Sequence, residues 1–288
     1  MTIYHYCTSD TFFSIIKNRC IWLSSLSQSN DRLEGLVAGE VLTTLAKDLD
    51  FDDSVIARMR LPIDAYRRQM DGFAMCLSRK GDLLSQWRGY AADGSGFSVG
   101  FSEPYLAKLG QQQVNGSFKP VSVVYDVEKQ KKWLKPLLES LRGFIGDGAY
   151  GKPLFAGLLS DENDKQRIET HNANVRFQSN KADMLLVTLM SVFFNFKSEA
   201  FSEEDEVRLL THATNLDGDS LESGLLFRHA RNQIIPYRSY ELSQLDEPSV
   251  VEVILGPKNP TPVAVVKRFL KSQGFNDVEV RPSIASYH

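Results

Sequence analysis

The sequence has few cysteines and no arrangement of them that could brace a fold. Of its 288 residues only three are cysteine, namely Cys7, Cys20 and Cys76. An odd number at wide spacing, each in an apolar stretch, excludes a disulfide framework and a clustered zinc site. This pattern indicates reduced, buried thiols in a reducing compartment, so the fold must depend on its hydrophobic core.

Signals for secretion and for membrane insertion are also lacking. The first residues have neither the basic start nor the apolar core of a signal peptide. The longest apolar run, residues 184–196, is interrupted by Thr188, Ser191 and Asn195. It is too short to span a bilayer. We therefore expect a soluble cytoplasmic protein with no membrane partner.

Several functional motifs are missing. The net charge of -3 gives no sign of the basic stripe typical of nucleic-acid scaffolds. There is no P-loop, no dinucleotide-binding glycine motif after a strand and no H-E-x-x-H, and the five histidines are isolated, so we expect no metal site. Residues 96–100 fit G-x-S-x-G, but alternation places Ser98 mid-strand after a Gly/Asp turn, which favours a structural serine over a hydrolase nucleophile.

Hydrophobic residues make up 42% of the sequence and charged residues 24%, which is ordinary for a packed globular protein. Helical periodicity predicts helices over 32–48, 53–70 with a break near Pro62, 82–92 and 261–273, and mostly helix over 127–196. Alternation predicts strands near 3–8, 21–23, 72–78, 97–101, 121–125, 206–212, 225–228, 233–242, 250–255 and 278–281. We predict one α+β domain, residues 1–288, with a split, mostly antiparallel sheet and helical insertions at about 32–70 and 127–196.

Two candidate functional features are individually weak. His5 lies on the first predicted strand with its side chain opposite Tyr4 and Tyr6, and a lone strand histidine is more often structural. Trp87 and Tyr90 are i, i+3 neighbours on a helix. They are either two core aromatics or a stacking wall for a planar ring, with Arg79 and Arg88 nearby for phosphates.

A third feature is the acidic run before a late strand. Period two places Glu206 and Arg208 on one face and Val207 and Leu209 on the other. One interpretation is a solvated acidic turn with a surface ion pair, which contributes little stability. The other is a carboxylate held at a sheet surface beside a cation.

Taken together, four motifs resemble those of a widespread bacterial family of unknown function. They are Tyr4-His5-Tyr6, the N-D-x-x-E motif of residues 30–34, the W-x-x-Y-A motif of residues 87–91 and the E-E-x-E-x-R run within residues 201–208. The order of histidine, tyrosine and glutamate is also similar to the H-Y-E class of ADP-ribosyltransferases, in which a split antiparallel sheet forms a cleft for NAD+.

This resemblance implies roles for named residues. His5 would bind a ribose hydroxyl, the Tyr6 backbone would clamp the nicotinamide amide, and Tyr90, with Trp87, would stack on the nicotinamide ring. Glu206 would bind the ribose 2′-hydroxyl and stabilise the cation that forms as nicotinamide leaves. The further implied residues are Arg208, which keeps Glu206 ionised, Ser78 and Arg79 for the nucleotide, and Glu204, Asn30, Asp31 and Glu34 on the acceptor side.

The sequence therefore predicts an NAD+-consuming ADP-ribosyltransferase or NAD glycohydrolase, of toxin-like or anti-phage type. NAD+ is the expected substrate, and the acceptor, protein or nucleic acid, is left open. The alternative is a non-catalytic sensor that binds a nucleotide or a nucleic-acid end on the same fold. Phosphoryl or RNA-end processing is disfavoured because the basic residues are few and scattered.

Overall fold

The computed structural model describes residues 1–28, 37–113, 116–157, 161–189, 194–214, 224–230 and 232–287, with the backbone alone for 66–69 and 213–214. The strands are β1 (Thr2–Cys7), β2 (Cys20–Ser25), β3 (Met70–Ser78), β4 (Phe97–Ser102), β5 (Lys119–Ser122), β6 (Glu206–Thr214), β7 (Leu226–Ala230), β8 (Gln233–Glu241), β9 (Val250–Leu255) and β10 (Glu279–Pro282). The helices are α1 (Ser9–Asn18), α2 (Val37–Asp48), α3 (Asp53–Gln69), α4 (Leu84–Tyr90), α5 (Glu103–Gln111), α6 (Val127–Gly146), α7 (Glu162–Thr188) and α8 (Val263–Ser272), and a 3-10 helix covers Glu199–Glu204.

The chain forms two compact units. We call residues 1–32, 71–123 and 200–288 the sheet unit, and residues 33–70 and 124–199 the helical unit. The helical unit overlaps the stretches at about 32–70 and 127–196 where the sequence predicts helical insertions. All the residues of the candidate site that the structure describes lie in the sheet unit.

In the helical unit, α2, α3, α6 and α7 pack around a core of apolar side chains at helical spacing. Helix α3 runs unbroken through Pro62, so the predicted break is wrong. Proline removes one backbone hydrogen bond, but Met59 and Ile63 on either side are both buried in this core. Packing therefore keeps the helix continuous. Within the described parts of the chain, no helix is both long and apolar enough to cross a membrane.

The sheet unit contains an open, mostly antiparallel sheet of ten strands in the order β10-β9-β4-β1-β3-β2-β8-β7, with β6 paired to β3 and β5. The predicted α+β class and mostly antiparallel pairing are confirmed; β9 and β10 are parallel. Alternating residues of the strands form the core, and Val207 and Leu209 of β6, which the sequence places on one face, belong to it. Ser98 lies within β4 and is fully buried, which fits its interpretation as a structural serine.

Strand β3 changes partner along its length, and this change positions the site. Phe73 and Ala74 pair with β2, whereas Ser78 pairs with Tyr4 of β1. Cys76 lies on β3 between these two paired segments, and its carbonyl oxygen is 2.9 Å from Nδ1 of His5. The end of β1, the exposed face of β2 and the middle of β3 therefore come together at one place.

The fifth strand ends at Ser122, three residues before its predicted end. The Asp126 carboxylate accepts a hydrogen bond of 2.7 Å from the Lys129 backbone N–H and so caps α6. Before this cap, the Val124 N–H already donates to the Asn195 carbonyl at 2.8 Å rather than to β6, so the β5–β6 ladder has ended.

Candidate functional site

The sheet unit contains a cavity of about 770 Å³. Its walls are residues 5–8 at the end of β1, the first turns of α1, one face of β2, the middle of β3 and residues 88–90 of α4, with Arg228 from β7. Ligand sites for small molecules typically enclose roughly 300–1,000 Å³. The cavity is therefore of a size that can hold a nucleotide.

His5 lies on the wall of this cavity in a defined tautomer. A carbonyl oxygen can only accept a hydrogen bond, so Nδ1, 2.9 Å from the Cys76 oxygen, carries the proton. Burial lowers the pKa of the imidazole, so the ring is neutral at pH 7. Its Nε2 is then an acceptor, and a ligand hydroxyl is the kind of group that it can bind.

Tyr6 fixes the turn that leads into α4. Its hydroxyl donates to the Lys80 carbonyl and accepts from the Leu83 N–H, both at 2.8 Å. Its ring meets the Trp87 ring edge-on at 4.9 Å between centroids. Because both polar positions of the hydroxyl are used within the protein and burial raises its pKa, Tyr6 acts here as a support for the cavity wall.

Trp87 and Tyr90 do not form one stacking wall. Trp87 is completely buried and donates from Nε1 to Asp82 at 2.7 Å, so its ring offers no face to a ligand. Asp82 also accepts from Ser283 Oγ at 2.5 Å and from the Ile284 N–H at 2.8 Å. This network anchors the start of α4. Tyr90, the last residue of α4, lines the cavity and is 48% exposed.

Glu204 is buried and is not among the described lining residues, but it contacts Tyr90, which is. The Tyr90 hydroxyl makes a long hydrogen bond of 3.4 Å to Glu204 Oε1. The end of β3 holds the turn that carries Glu204: Ser78 Oγ donates to the Glu204 carbonyl at 2.6 Å, and the Arg79 N–H donates to the Asp205 carbonyl at 3.0 Å. Ser78, which is buried, therefore positions this turn and is not among the cavity-lining residues that the structure describes.

Glu206 and Arg208 form a buried, two-point ion pair. Arg208 Nε lies 2.7 Å from Oε1 of Glu206 and Nη2 lies 3.1 Å from Oε2. Their exposed side-chain fractions are 6% and 1%. The interpretation as a solvated surface pair is therefore wrong. Neither residue is among the described residues that line the cavity.

Of the two arginines expected near the ligand, Arg88 lines the cavity and Arg79 does not. Arg79 lies 3.2 Å from Glu103 and donates to Ser122 at 2.9 Å, and it is not in the described cavity lining. Arg228 of β7 is the second arginine among the described lining residues. Among the described residues, no group of three or more His, Cys, Asp and Glu side chains is arranged to hold a metal ion. The acceptor-side candidates Asn30, Asp31 and Glu34 lie outside the described residues.

Trp22 and Arg228 line the cavity, and sequence reasoning gave neither of them a role in the site. Trp22 belongs to an alternating strand, and the run from Cys20 to Ser24 already indicates one half-buried face. That alternation could have drawn attention to Trp22. For Arg228 the sequence carries no such signal, because its place depends on the pairing of β7 with β8 and of β8 with β2.

All three cysteines line the cavity, and their different burial gives a testable order of reactivity. The expectation of three buried thiols is wrong, because Cys76 is exposed and Cys20 is partly exposed. Cys7 is 3% exposed, and burial raises its pKa to about 12. Since the thiolate is the nucleophile, iodoacetamide at pH 8 should modify Cys76 much faster than Cys7. Peptide mass spectrometry over time measures this order, with Cys76→Ser as the control that removes the fast phase. Equal rates at the two sites would contradict the described burial.

Comparison with protein-family models gives a match over part of the chain. Residues 86–209 are similar to a family described as "Protein of unknown function (DUF2971)". The matched stretch begins in α4 and ends in β6, so it includes Tyr90, Glu204 and Glu206 but not His5. No curated protein and no solved structure matches the chain. The match therefore fits an uncharacterised family and assigns no activity.

Proposed function

We propose that this protein consumes NAD+, as an ADP-ribosyltransferase or an NAD glycohydrolase, in the cavity beside His5 and Tyr90. The observation that carries the proposal is that a neutral imidazole and an exposed phenol ring line one cavity of nucleotide size. Glu204 is in contact with that phenol. These residues occur in the same order as the histidine, tyrosine and glutamate of the H-Y-E class of ADP-ribosyltransferases.

The proposed chemistry breaks the bond between C1′ of the ribose and the nicotinamide nitrogen. The bonding electron pair leaves with nicotinamide, and water or an acceptor nucleophile adds to C1′ of the resulting ribosyl cation. His5 Nε2 accepts a hydrogen bond from a ribose hydroxyl, and the Tyr90 ring stacks on the nicotinamide. A fixed carboxylate acts mainly in the transition state, because the positive charge develops there.

Two glutamates are candidates for that carboxylate. The family resemblance assigns the role to Glu206, whose two oxygens contact Arg208. The contact between Tyr90 and Glu204 favours Glu204, which belongs to the turn held by the end of β3. In this proposal Glu204 stabilises the ribosyl cation, and the Glu206–Arg208 pair keeps the first residues of β6 in place.

The experiment incubates the purified full chain with NAD+ and follows released nicotinamide by chromatography. We expect nicotinamide in proportion to enzyme and time, and none from a His5→Ala/Tyr90→Ala variant that remains folded by circular dichroism. The acceptor is then sought with radiolabelled NAD+ and a bacterial lysate. Since NAD+ depletion stops growth, expression in a host should be toxic or should abort phage infection. Absence of nicotinamide release at millimolar NAD+ contradicts the proposal.

A second candidate function, a non-catalytic nucleotide sensor, is favoured by one observation. The Glu206 carboxylate is engaged by Arg208 through both oxygens and lies outside the described cavity lining. A sensor predicts that nucleotides raise the melting temperature while no product forms. The melting temperature measured with NAD+, alongside nicotinamide release, separates the two functions.

A further inference from the structure

One face of β2 forms a wall of the cavity. Cys20, Trp22 and Ser24 are partly exposed and line the cavity, whereas the intervening Ile21 and Leu23 are fully buried. Since successive side chains of a strand point to opposite faces, the whole exposed side of β2 faces the cavity. Trp22 is at the centre of this wall.

The Trp22 ring is supported by a second aromatic ring. Its centroid lies 4.6 Å from that of Tyr237 at an interplanar angle of 40°. The two residues are diagonal neighbours in the β2–β8 ladder, in which Trp22 pairs with Ser239 and Ser24 pairs with Tyr237. A tryptophan held in this way loses little further side-chain entropy when a planar ligand stacks on it.

Arg228 extends from β7 to the same wall. Its Nη2 donates to Ser24 Oγ at 3.2 Å, and Ser24 is two residues from Trp22 on the same face of β2. This hydrogen bond holds the guanidinium at the cavity wall that also carries the indole. A planar guanidinium is well suited to bind phosphate oxygens.

The charge of the lining favours an anionic ligand. Of the described lining residues, Arg88 and Arg228 are cationic, Asp10 is anionic, and the pKa of His5 is lowered so that its ring is neutral. The net charge of these described lining residues is therefore +1. An aromatic platform beside an arginine in a positively charged cavity matches a base attached to a phosphate, because the base stacks and the phosphate accepts hydrogen bonds.

We propose that Trp22 and Arg228 form a nucleotide subsite, in which the indole stacks on an adenine base and the guanidinium binds the adjacent phosphate. The subsite rests on the proposed function, since it would hold the adenylate half of NAD+ while His5 and Tyr90 hold the nicotinamide riboside half. It is distinct in its residues, which come from β2 and β7 rather than from β1 and α4.

AMP is the probe, because it has no nicotinamide bond and its binding is independent of turnover. Titration of the full chain with AMP is followed by calorimetry and by tryptophan fluorescence. Trp22→Leu should weaken AMP binding roughly 5- to 150-fold, the range expected for loss of one base–aromatic stack. Trp133→Leu, at a 59% exposed tryptophan of the helical unit, is the matched control and should leave affinity unchanged.

Trp22→Phe keeps a stacking ring and covers the case in which Trp22→Leu does not fold. It should retain most of the AMP affinity but lose the AMP-dependent quenching of tryptophan fluorescence. For the phosphate, Arg228→Gln should remove the preference for AMP over adenosine while leaving adenosine affinity unchanged. Arg268→Gln, at an exposed arginine of α8, is its control.

The outcomes separate the subsite from the catalytic proposal. AMP binding that depends on Trp22 and Arg228, without nicotinamide release, supports the subsite and contradicts NAD+ consumption. Nicotinamide release together with AMP binding that is unchanged by all three variants overturns the subsite and leaves the proposed function in place. Failure of the wild-type chain to bind AMP at millimolar concentration also overturns the subsite.

Discussion

Glu206→Ala is expected to lower the free energy of unfolding by about 3–5 kcal/mol, which is the usual cost of removing one partner of a buried ion pair. Glu206 and Arg208 are 6% and 1% exposed and are joined at two points. Without the carboxylate, the buried guanidinium loses this counter-ion but still bears the cost of leaving water. Arg208→Ala should lower the free energy of unfolding by a similar amount, because the buried Glu206 carboxylate then loses the arginine as its counter-ion.

Urea unfolding followed by circular dichroism measures this effect. The control is Glu247→Ala, which breaks an ion pair with Lys108 whose side chains are 47% and 55% exposed, and it should cost less than about 1 kcal/mol. Replacing both buried residues by Glu206→Leu/Arg208→Met should cost much less than the sum of the two alanine variants, since neither charge of this pair then stays buried without the other. A Glu206→Ala loss as small as that of the Glu247 control would contradict the buried pair.

Glu204→Gln is expected to lower kcat for nicotinamide release by about 10²–10³-fold, the loss typical of one preorganised electrostatic group. Glutamine keeps the size of the side chain and the backbone carbonyl that accepts from Ser78, so the melting temperature should stay near that of the wild type. KM should change little, because the carboxylate acts on charge that develops in the transition state.

Glu206→Gln is the comparison that decides between the two carboxylates. If Glu204 is the reacting carboxylate, Glu206→Gln should lower the free energy of unfolding more than Glu204→Gln does. The kcat of Glu206→Gln, measured below the melting temperature of that variant, should fall less than tenfold. A loss of kcat confined to Glu206→Gln would overturn the assignment to Glu204 and support that implied by the family resemblance. Unchanged kcat in both variants would contradict a carboxylate-assisted transfer.

Much of the local structure was predictable from periodicity. The face shared by Glu206 and Arg208 and the mid-strand position of Ser98 agree with the structure, because period two directly reflects strand geometry. The helix carrying Trp87 and Tyr90 was also expected. The break at Pro62 was not found, since packing of the neighbouring apolar residues outweighs the one hydrogen bond that proline removes.

What the sequence by itself determined is therefore the set of elements, the class of the fold and which side chains share a face. Only the tertiary structure decided which of these faces meet. It buried the Glu206–Arg208 pair, separated Trp87 from Tyr90 and brought Trp22, His5 and Arg228 to one cavity. The physical reason is that alternation is local, whereas these placements depend on strand pairings between residues far apart in the chain, such as Ser24 with Tyr237.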